Sequence, residues 1–347
     1  MDLPNDLRLA LADVLAAVPG RDLAAATAAL SRRYRDGRSG GVAGPMLRSE
    51  DEVAAYAAYR LPATLATAGA ALQYVRQRRP GWTPRTLLDA GAGPGAAAWA
   101  AAEVWPALES LTLLERDERM IRLGRRLAAQ SSSPALRDAR WRRADLTGAW
   151  GQESVPASYD LVVSSYTLGE IPSEQRDDVV DRLWAATGAH VGARAADGRN
   201  GSAADDAVLL IVEPGTPAGF AVVREARSRV IAAGGTVVAP CPHDRACPMA
   251  DGDWCHFSRR VTRSRAHMQA KGVSIGYEDE KYSYVAVARP PGTHSAIAGR
   301  VLRHPQTRPG HVILELCAPM GLEKTIVTRK ERERYHQARD LAWGDSL

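Results

Sequence analysis

Between residues 86 and 233 short apolar runs alternate with longer stretches of helical periodicity. The runs at 86–89, 110–114, 159–165 and 207–212 are short and bounded by polar or glycine-rich segments, which predicts strands. The stretches at 96–104, 120–130, 173–186 and 219–233 predict helices between and after them. A weaker strand is expected near 138–142. Strands separated by helices of this length imply a parallel sheet covered on both faces, an α/β doubly wound domain.

The flanks read differently. Residues 1–80 are helical in pattern, with Ala/Leu-rich runs at 7–18 and 22–34, and Ser49-Glu50-Asp51-Glu52 looks like a helix start. The glycine-rich segment 37–44 reads as a turn or linker, and 190–206 as a surface loop. After Gly235 the alternation stops. Residues 281–288 return to strand-like alternation. Three β-like runs at 297–302, 311–316 and 324–328, punctuated by Pro305, Pro309, Gly310 and Gly321, suggest a small β module, and a charged helix runs from about 329 to 342. The expected organisation is an N-terminal helical region (1–80) and an α/β domain (81–240) to whose sheet 281–289 returns. An insertion (241–280) and a C-terminal β module with its helix (290–347) complete it.

The first predicted strand runs into Asp89-Ala90-Gly91-Ala92-Gly93-Pro94-Gly95 and then a helix. Glycines let the backbone pass close beneath a ligand, and a helix N-terminus favours negative charge. A dinucleotide site would place two residues, where this loop has one, between its second and third glycines. The spacing here, with Asp89 two residues before Gly91, resembles class I S-adenosylmethionine-dependent methyltransferases, a Rossmann-like fold. That resemblance implies a loop beneath the amino-acid end of the cofactor, Glu115 at the ribose hydroxyls and Asp145 at the adenine amino group. The Asn/Asp-Pro-Pro-aromatic motif of amino-group methyltransferases is absent after the 159–165 strand. Tyr166 and Glu170 are the candidates to position a substrate there, although Glu170 reads equally well as a helix cap.

Charge and cysteine placement add a second theme. Only four of the 45 basic side chains are Lys, so arginine abundance by itself reflects composition. Its distribution does not: residues 241–347 carry 17 Lys+Arg against 12 Asp+Glu, while the remainder carries 28 of each. A localised basic surface is the footprint of a phosphate-rich partner. From 256 to 277 the cations are Arg259, Arg260, Arg263, Arg265 and Lys271, with no acid among them. These five are the candidate phosphate contacts for RNA, with an ordinary solvated helix face as the alternative reading.

All four cysteines, Cys241, Cys247, Cys255 and Cys317, lie in the same third. Four soft thiolates point to tetrahedral zinc or an iron–sulfur cluster, and the missing two-residue gap leans towards iron–sulfur. His243 and His256 read as neighbours of such a site. Buried structural thiols, or a nucleophilic Cys241, are the alternatives. No apolar stretch is long enough to span a membrane and no secretory signal is visible, so a soluble cytoplasmic protein is expected.

Several stretches together resemble one family, the methyltransferase-like assembly proteins of the small ribosomal subunit, found in mitochondria and with bacterial relatives. They are Tyr56-Ala57-Ala58-Tyr59-Arg60-Leu61-Pro62-Ala63-Thr64, the 89–95 loop, Val212-Glu213-Pro214-Gly215-Thr216, the cysteine block from Cys241 to Phe257, Gly276-Tyr277-Glu278-Asp279-Glu280-Lys281 and Trp343-Gly344-Asp345. The resemblance implies binding to small-subunit ribosomal RNA during assembly, and a 4Fe–4S cluster on Cys241, Cys247, Cys255 and Cys317. It leaves two versions open, one that methylates ribosomal RNA and one that uses the fold only for binding. With no mitochondrial targeting segment visible, it implies a bacterial cytoplasmic member. The rival outside this family is a zinc-containing methyltransferase acting on protein or a small molecule.

Overall fold

The computed structural model describes residues 2–16, 18–36, 47–148, 150, 158–188, 206–250, 252–290, 292 and 294–347. The expected linker at 37–44 and, apart from Asp206, the expected loop at 190–206 lie outside them. The central sheet contains β1 (Thr86–Ala90), β2 (Ser110–Glu115), β3 (Arg140–Arg143), β4 (Leu161–Ser165), β5 (Val208–Pro214), β6 (Thr236–Ala239), β7 (Phe257–Thr262) and β8 (Tyr277–Ala288). Their order is β3-β2-β1-β4-β5-β8-β6, with β7 paired to β8 alone. Strands β1 to β5 are parallel, and β8 runs antiparallel between β5 and β6. This reversal of order at β1/β4, with one antiparallel strand set near the edge, is the class I methyltransferase-like arrangement.

Alternation across the sheet divides the core in two. Leu87, Leu111, Leu113, Val163 and Leu210 face one side, where α4 (Leu61–Arg78) and α5 (Ala96–Val104) cover them. Leu88, Leu114, Val162, Leu209 and Ile211 face the other, under α8 (Ser173–Ala186) and α9 (Pro217–Ala232). Burial on both faces explains why these strands read as continuous apolar runs. The remaining helices of this body are α1 (Asn5–Leu15), α2 (Gly20–Asp36), α3 (Glu50–Ala55), α6 (Glu118–Ala128), α7 (Pro134–Arg137) and α10 (Arg265–Lys271). Ser49 caps α3 by accepting from the Glu52 N–H at 3.2 Å. Between α3 and α4 the chain makes a π-helical turn, Tyr56–Arg60.

Three elements were hidden by the local pattern. Strand β6 follows Gly235 directly, where alternation was expected to stop; a Cβ at Gly235 would lie 2.5 Å from the Val287 side chain. Strand β8 starts at Tyr277, four residues before 281, and its first half leaves the sheet to pair with β7 as an arm that packs on α4 and, through α10, on α2 and the π-helical turn. Part of the expected 241–280 insertion is therefore sheet. The C-terminal module is a second antiparallel sheet of β9 (Arg300–Val301), β10 (Gln306–Arg308), β11 (His311–Ala318) and β12 (Gly321–Thr328). The expected strand at 297–302 shrinks to two residues. Val312, Leu314, Leu316 and Val327 pack beneath α11 (Glu333–Asp340) through Tyr335 and Ala338. Among the described residues no helix is long and apolar enough to cross a membrane.

Candidate cofactor pocket and cysteine site

The loop from β1 to α5 turns three times through left-handed backbone, at Gly91 (φ 75°), Gly93 (φ 55°) and Gly95 (φ 88°). Gly91 is also sterically fixed, since a Cβ there would sit 2.3 Å from the Thr167 methyl. Below the loop Asp89 is buried and accepts from the Ala98 N–H at 3.1 Å, tying β1 to the first turn of α5. Desolvation pushes its carboxyl up to about 7 against that bond.

Glu115, at the end of β2, accepts from the N–H groups of Gly93 and Asp117, both at 2.8 Å. Burial raises its pKa, those donors pulling the other way. Asp145 follows the neighbouring strand β3 and is exposed. Its Oδ1 accepts from the Thr147 N–H (2.9 Å) and hydroxyl (2.8 Å), bonds that hold its carboxyl below the usual range. Loop, Glu115 and Asp145 thus lie along the carboxyl ends of adjacent strands, where open α/β sheets bind ligands.

The opposite wall comes from β4 and the π-helical turn. Tyr166, at the end of β4, has a left-handed backbone (φ 58°). Its ring lies under the Arg60 guanidinium, 4.5 Å from the centroid, and its hydroxyl donates to Glu280 Oε1 at 3.3 Å. Arg60 reaches the same oxygen at 3.0 Å. Desolvation and Glu280 hold the Tyr166 phenol well above its ordinary value. Glu213, at the end of β5, is buried and accepts from the Thr167 N–H at 3.1 Å, and burial pushes it up to about 7 despite the backbone donors around it. Glu170 is exposed, 4.0 Å from Arg116. Tyr56, from the π-helical turn, closes on the loop, its hydroxyl 3.5 Å from where a Gly93 Cβ would be. Tyr56, Arg60, Glu213 and Glu280 were not singled out from the sequence as site residues. Their only trace there was membership of the 56–64, 212–216 and 276–281 stretches.

The four cysteines converge. Cys241, just past β6, Cys247 and Cys255, before β7, and Cys317, on β11, line a single cavity. The thiols are desolvated: burial raises Cys241 and Cys255, and pushes Cys317 up to about 12. His243 Nε2 is 3.7 Å from the Cys317 sulfur. His256 is stacked on Trp254 and meets Trp343 edge-on, so its ring is used in packing. Among the described residues no three His, Cys, Asp or Glu side chains close upon a single point as ligands of one ion would.

Two arginines border these cysteines. Arg227, 3% exposed, donates to the His243 carbonyl at 2.8 Å and leaves its Nε without an acceptor. Arg300, the cross-strand partner of Cys317 and 1% exposed, donates to the carbonyls of Pro240 and Gly344 and leaves one Nη without an acceptor. Buried guanidinium groups without a counter-charge are costly, and an anionic occupant held by four thiolates would offset that cost. The donor set and its surroundings fit such a group.

The basic segment is less free than its sequence suggested. Arg260 makes a paired bond to Asp279, 2.9 Å to each oxygen, with its guanidinium over Tyr277. Arg263 and Lys271 both reach Glu278 at 2.9 Å, and His267 Nε2 lies 3.3 Å from the same carboxylate. These acids sit on β8, opposite β7 in the arm. Among the described residues Arg259 and Arg265 have no ion pair.

A family model described as mitochondrial small ribosomal subunit Rsm22 matches residues 50–347. The human mitochondrial ribosome assembly protein METTL17 is 30% identical over 313 residues, covering 84% of this chain and 61% of that protein. The Saccharomyces cerevisiae mitochondrial ribosome assembly protein RSM22 is 22% identical over 302 residues, covering 56% of this chain and 45% of that protein. The chain spans about three fifths of the human relative's length.

Proposed function

The chain belongs to the Rsm22 family, and we propose that it binds small-subunit ribosomal RNA and supports assembly of the small ribosomal subunit, in the cytoplasm of a bacterium. In this reading it carries S-adenosylmethionine on the 89–95 loop and a 4Fe–4S cluster on Cys241, Cys247, Cys255 and Cys317. The observation that carries it is the convergence of those four cysteines, 76 residues apart at the extremes, on one cavity lined also by the buried Arg227, with the buried Arg300 the cross-strand partner of Cys317. Four thiols lining one cavity supply the donor set that a polynuclear iron–sulfur cluster needs.

S-adenosylmethionine, when bound, supplies an electrophilic methyl group. The chain's part is to orient it: the loop backbone beneath its amino-acid end, Glu115 towards the ribose and Asp145 towards the adenine. Methylation of ribosomal RNA would need a group to position the nucleophile. Glu170 is the accessible candidate. A second reading, binding without transfer, is favoured by Tyr166, whose ring and hydroxyl are both committed to Arg60 and Glu280.

Anaerobic purification tests the cluster. Brown protein with iron and acid-labile sulfide, both lost in Cys255→Ser, is expected; colourless protein containing zinc would overturn it. Labelled S-adenosylmethionine offered with immature small subunits separates the two readings. Label in the RNA, lost in Gly93→Arg, means transfer; retention of cofactor without label means binding only.

A further inference from the structure

An open polar cleft of about 410 Å³ lies between α4, β7 and the C-terminal tail, and shares no lining residue with the cysteine cavity or the glycine loop. Gln73 and Gln77 stand one turn apart on α4, hence on one face, with Tyr74 beside them. Arg259 of β7 faces them, and Asp345 and Ser346 complete the rim. Tyr74 is held from behind, stacked on Tyr284 at 6.1 Å and covered by Arg300 at 4.6 Å, so this wall is rigid.

Three of the arm's cations, Arg260, Arg263 and Lys271, are neutralised by Asp279 or Glu278. Arg259 is not, because its cross-strand partner Glu280 is turned to Arg60 and Tyr166. The amides of Gln73 and Gln77 have no hydrogen-bond partner among the described residues, and Asp345 uses only Oδ2, on the Ala342 N–H. The cleft therefore presents a cation, two amides that can pair with a base edge and a free carboxylate oxygen able to accept from a 2′-hydroxyl. Its volume is within the ~300–1,000 Å³ range of small-ligand sites.

We propose that this cleft takes one nucleotide of a bound RNA strand, Arg259 meeting its phosphate, Gln73 and Gln77 its base edge, and Asp345 its ribose. The assignment rests on the RNA-binding reading above and specifies a place for it. The test uses the full chain and a fluorescent single-stranded ribo-oligonucleotide of mixed sequence, with the same sequence in DNA. Wild type should prefer RNA. Gln73→Ala/Gln77→Ala and Arg259→Gln should each weaken binding about tenfold, while Lys330→Gln, at a remote exposed position, should not. Iodouridine in the oligonucleotide should cross-link the peptide containing Tyr74. If wild type binds RNA while the cleft variants bind equally well and no Tyr74 cross-link forms, the cleft assignment fails and RNA binding stands. If wild type binds no RNA, both fall.

Discussion

Arg60 and Glu280, 220 residues apart in sequence, meet at 3.0 Å and enclose the Tyr166 hydroxyl and ring between them. One ion pair thus joins the π-helical turn, the end of β4 and the β7–β8 arm. Removing either partner leaves the other half-buried charge poorly matched. Arg60→Ala and Glu280→Ala should each destabilise the fold by about 1–3 kcal/mol, and the double variant by less than their sum. Urea titrations of all four proteins measure the coupling, and strict additivity would show that the pair acts through nothing shared.

The two inner loop glycines should differ in tolerance. Gly91→Ala meets both a left-handed φ and the Thr167 methyl at 2.3 Å, whereas Gly93→Ala meets open space as far as Tyr56 at 3.5 Å. Expected costs are about 2–4 kcal/mol for Gly91 and about 1 kcal/mol for Gly93. Calorimetric binding of S-adenosylmethionine should be lost in the first and weakened in the second. Equal behaviour would mean that the Thr167 contact is not a constraint.

Acidity should act through Asp89 and Glu213, whose carboxyls sit at about 7 when folded against ordinary values of 3.8 and 4.5. Between those values the folded chain holds protons that the unfolded chain has released, so their contribution to stability is present at low pH and falls as pH rises towards 7. His243 and His256, lowered by burial, pull the other way, so the comparison is with Asp89→Asn. The melting temperature of Asp89→Asn relative to wild type should rise between about pH 5 and about pH 8. A constant difference would place the Asp89 pKa near its ordinary value.

Glu278 holds Arg263, Lys271 and His267 together, and those partners keep its carboxyl far below the usual range. Its neutralisation should release two cations at the root of α10. Glu278→Gln should therefore lower the melting temperature yet tighten RNA binding, with the salt dependence steepened by up to about two counterions. Weaker binding with an unchanged salt slope would mean that these cations serve only to fold the arm.

What the sequence made legible followed from local periodicity. Strands β1, β2, β4 and β5, buried on both faces, announce themselves as apolar runs, and the glycine loop falls where a strand meets a helix. Strand β6 was invisible because its four residues follow a glycine pair and find their partners only at Ala286 to Ala288 of β8. The freedom of the basic segment was overestimated for a related reason: Glu278 and Asp279 follow the stretch that was counted and neutralise it from across a hairpin. Arg60, Glu213 and Arg300 carry no local signature, since their roles come from partners brought together by the sheet. The cysteines were legible as a set by type, but their meeting depends on packing β11 against α9 and the segment that holds Cys247 and Cys255, which no spacing encodes.

Strand β8 belongs to two structures at once. From Tyr282 to Ala288 it is paired with β5, and over Ala286 to Ala288 with β6 as well, while from Tyr277 to Tyr282 it is paired with β7. Tyr282 is where the two registers meet, opposite Pro214 on one side and Phe257 on the other, and the chain beside it at Gly215 leaves no room even for a Cβ. The arm is in effect a span held at both ends, by the sheet at Tyr282 and by α10 seated on α2 and the π-helical turn. Glu280 lies between those supports and, through Arg60, keeps one wall of the candidate cofactor pocket in place.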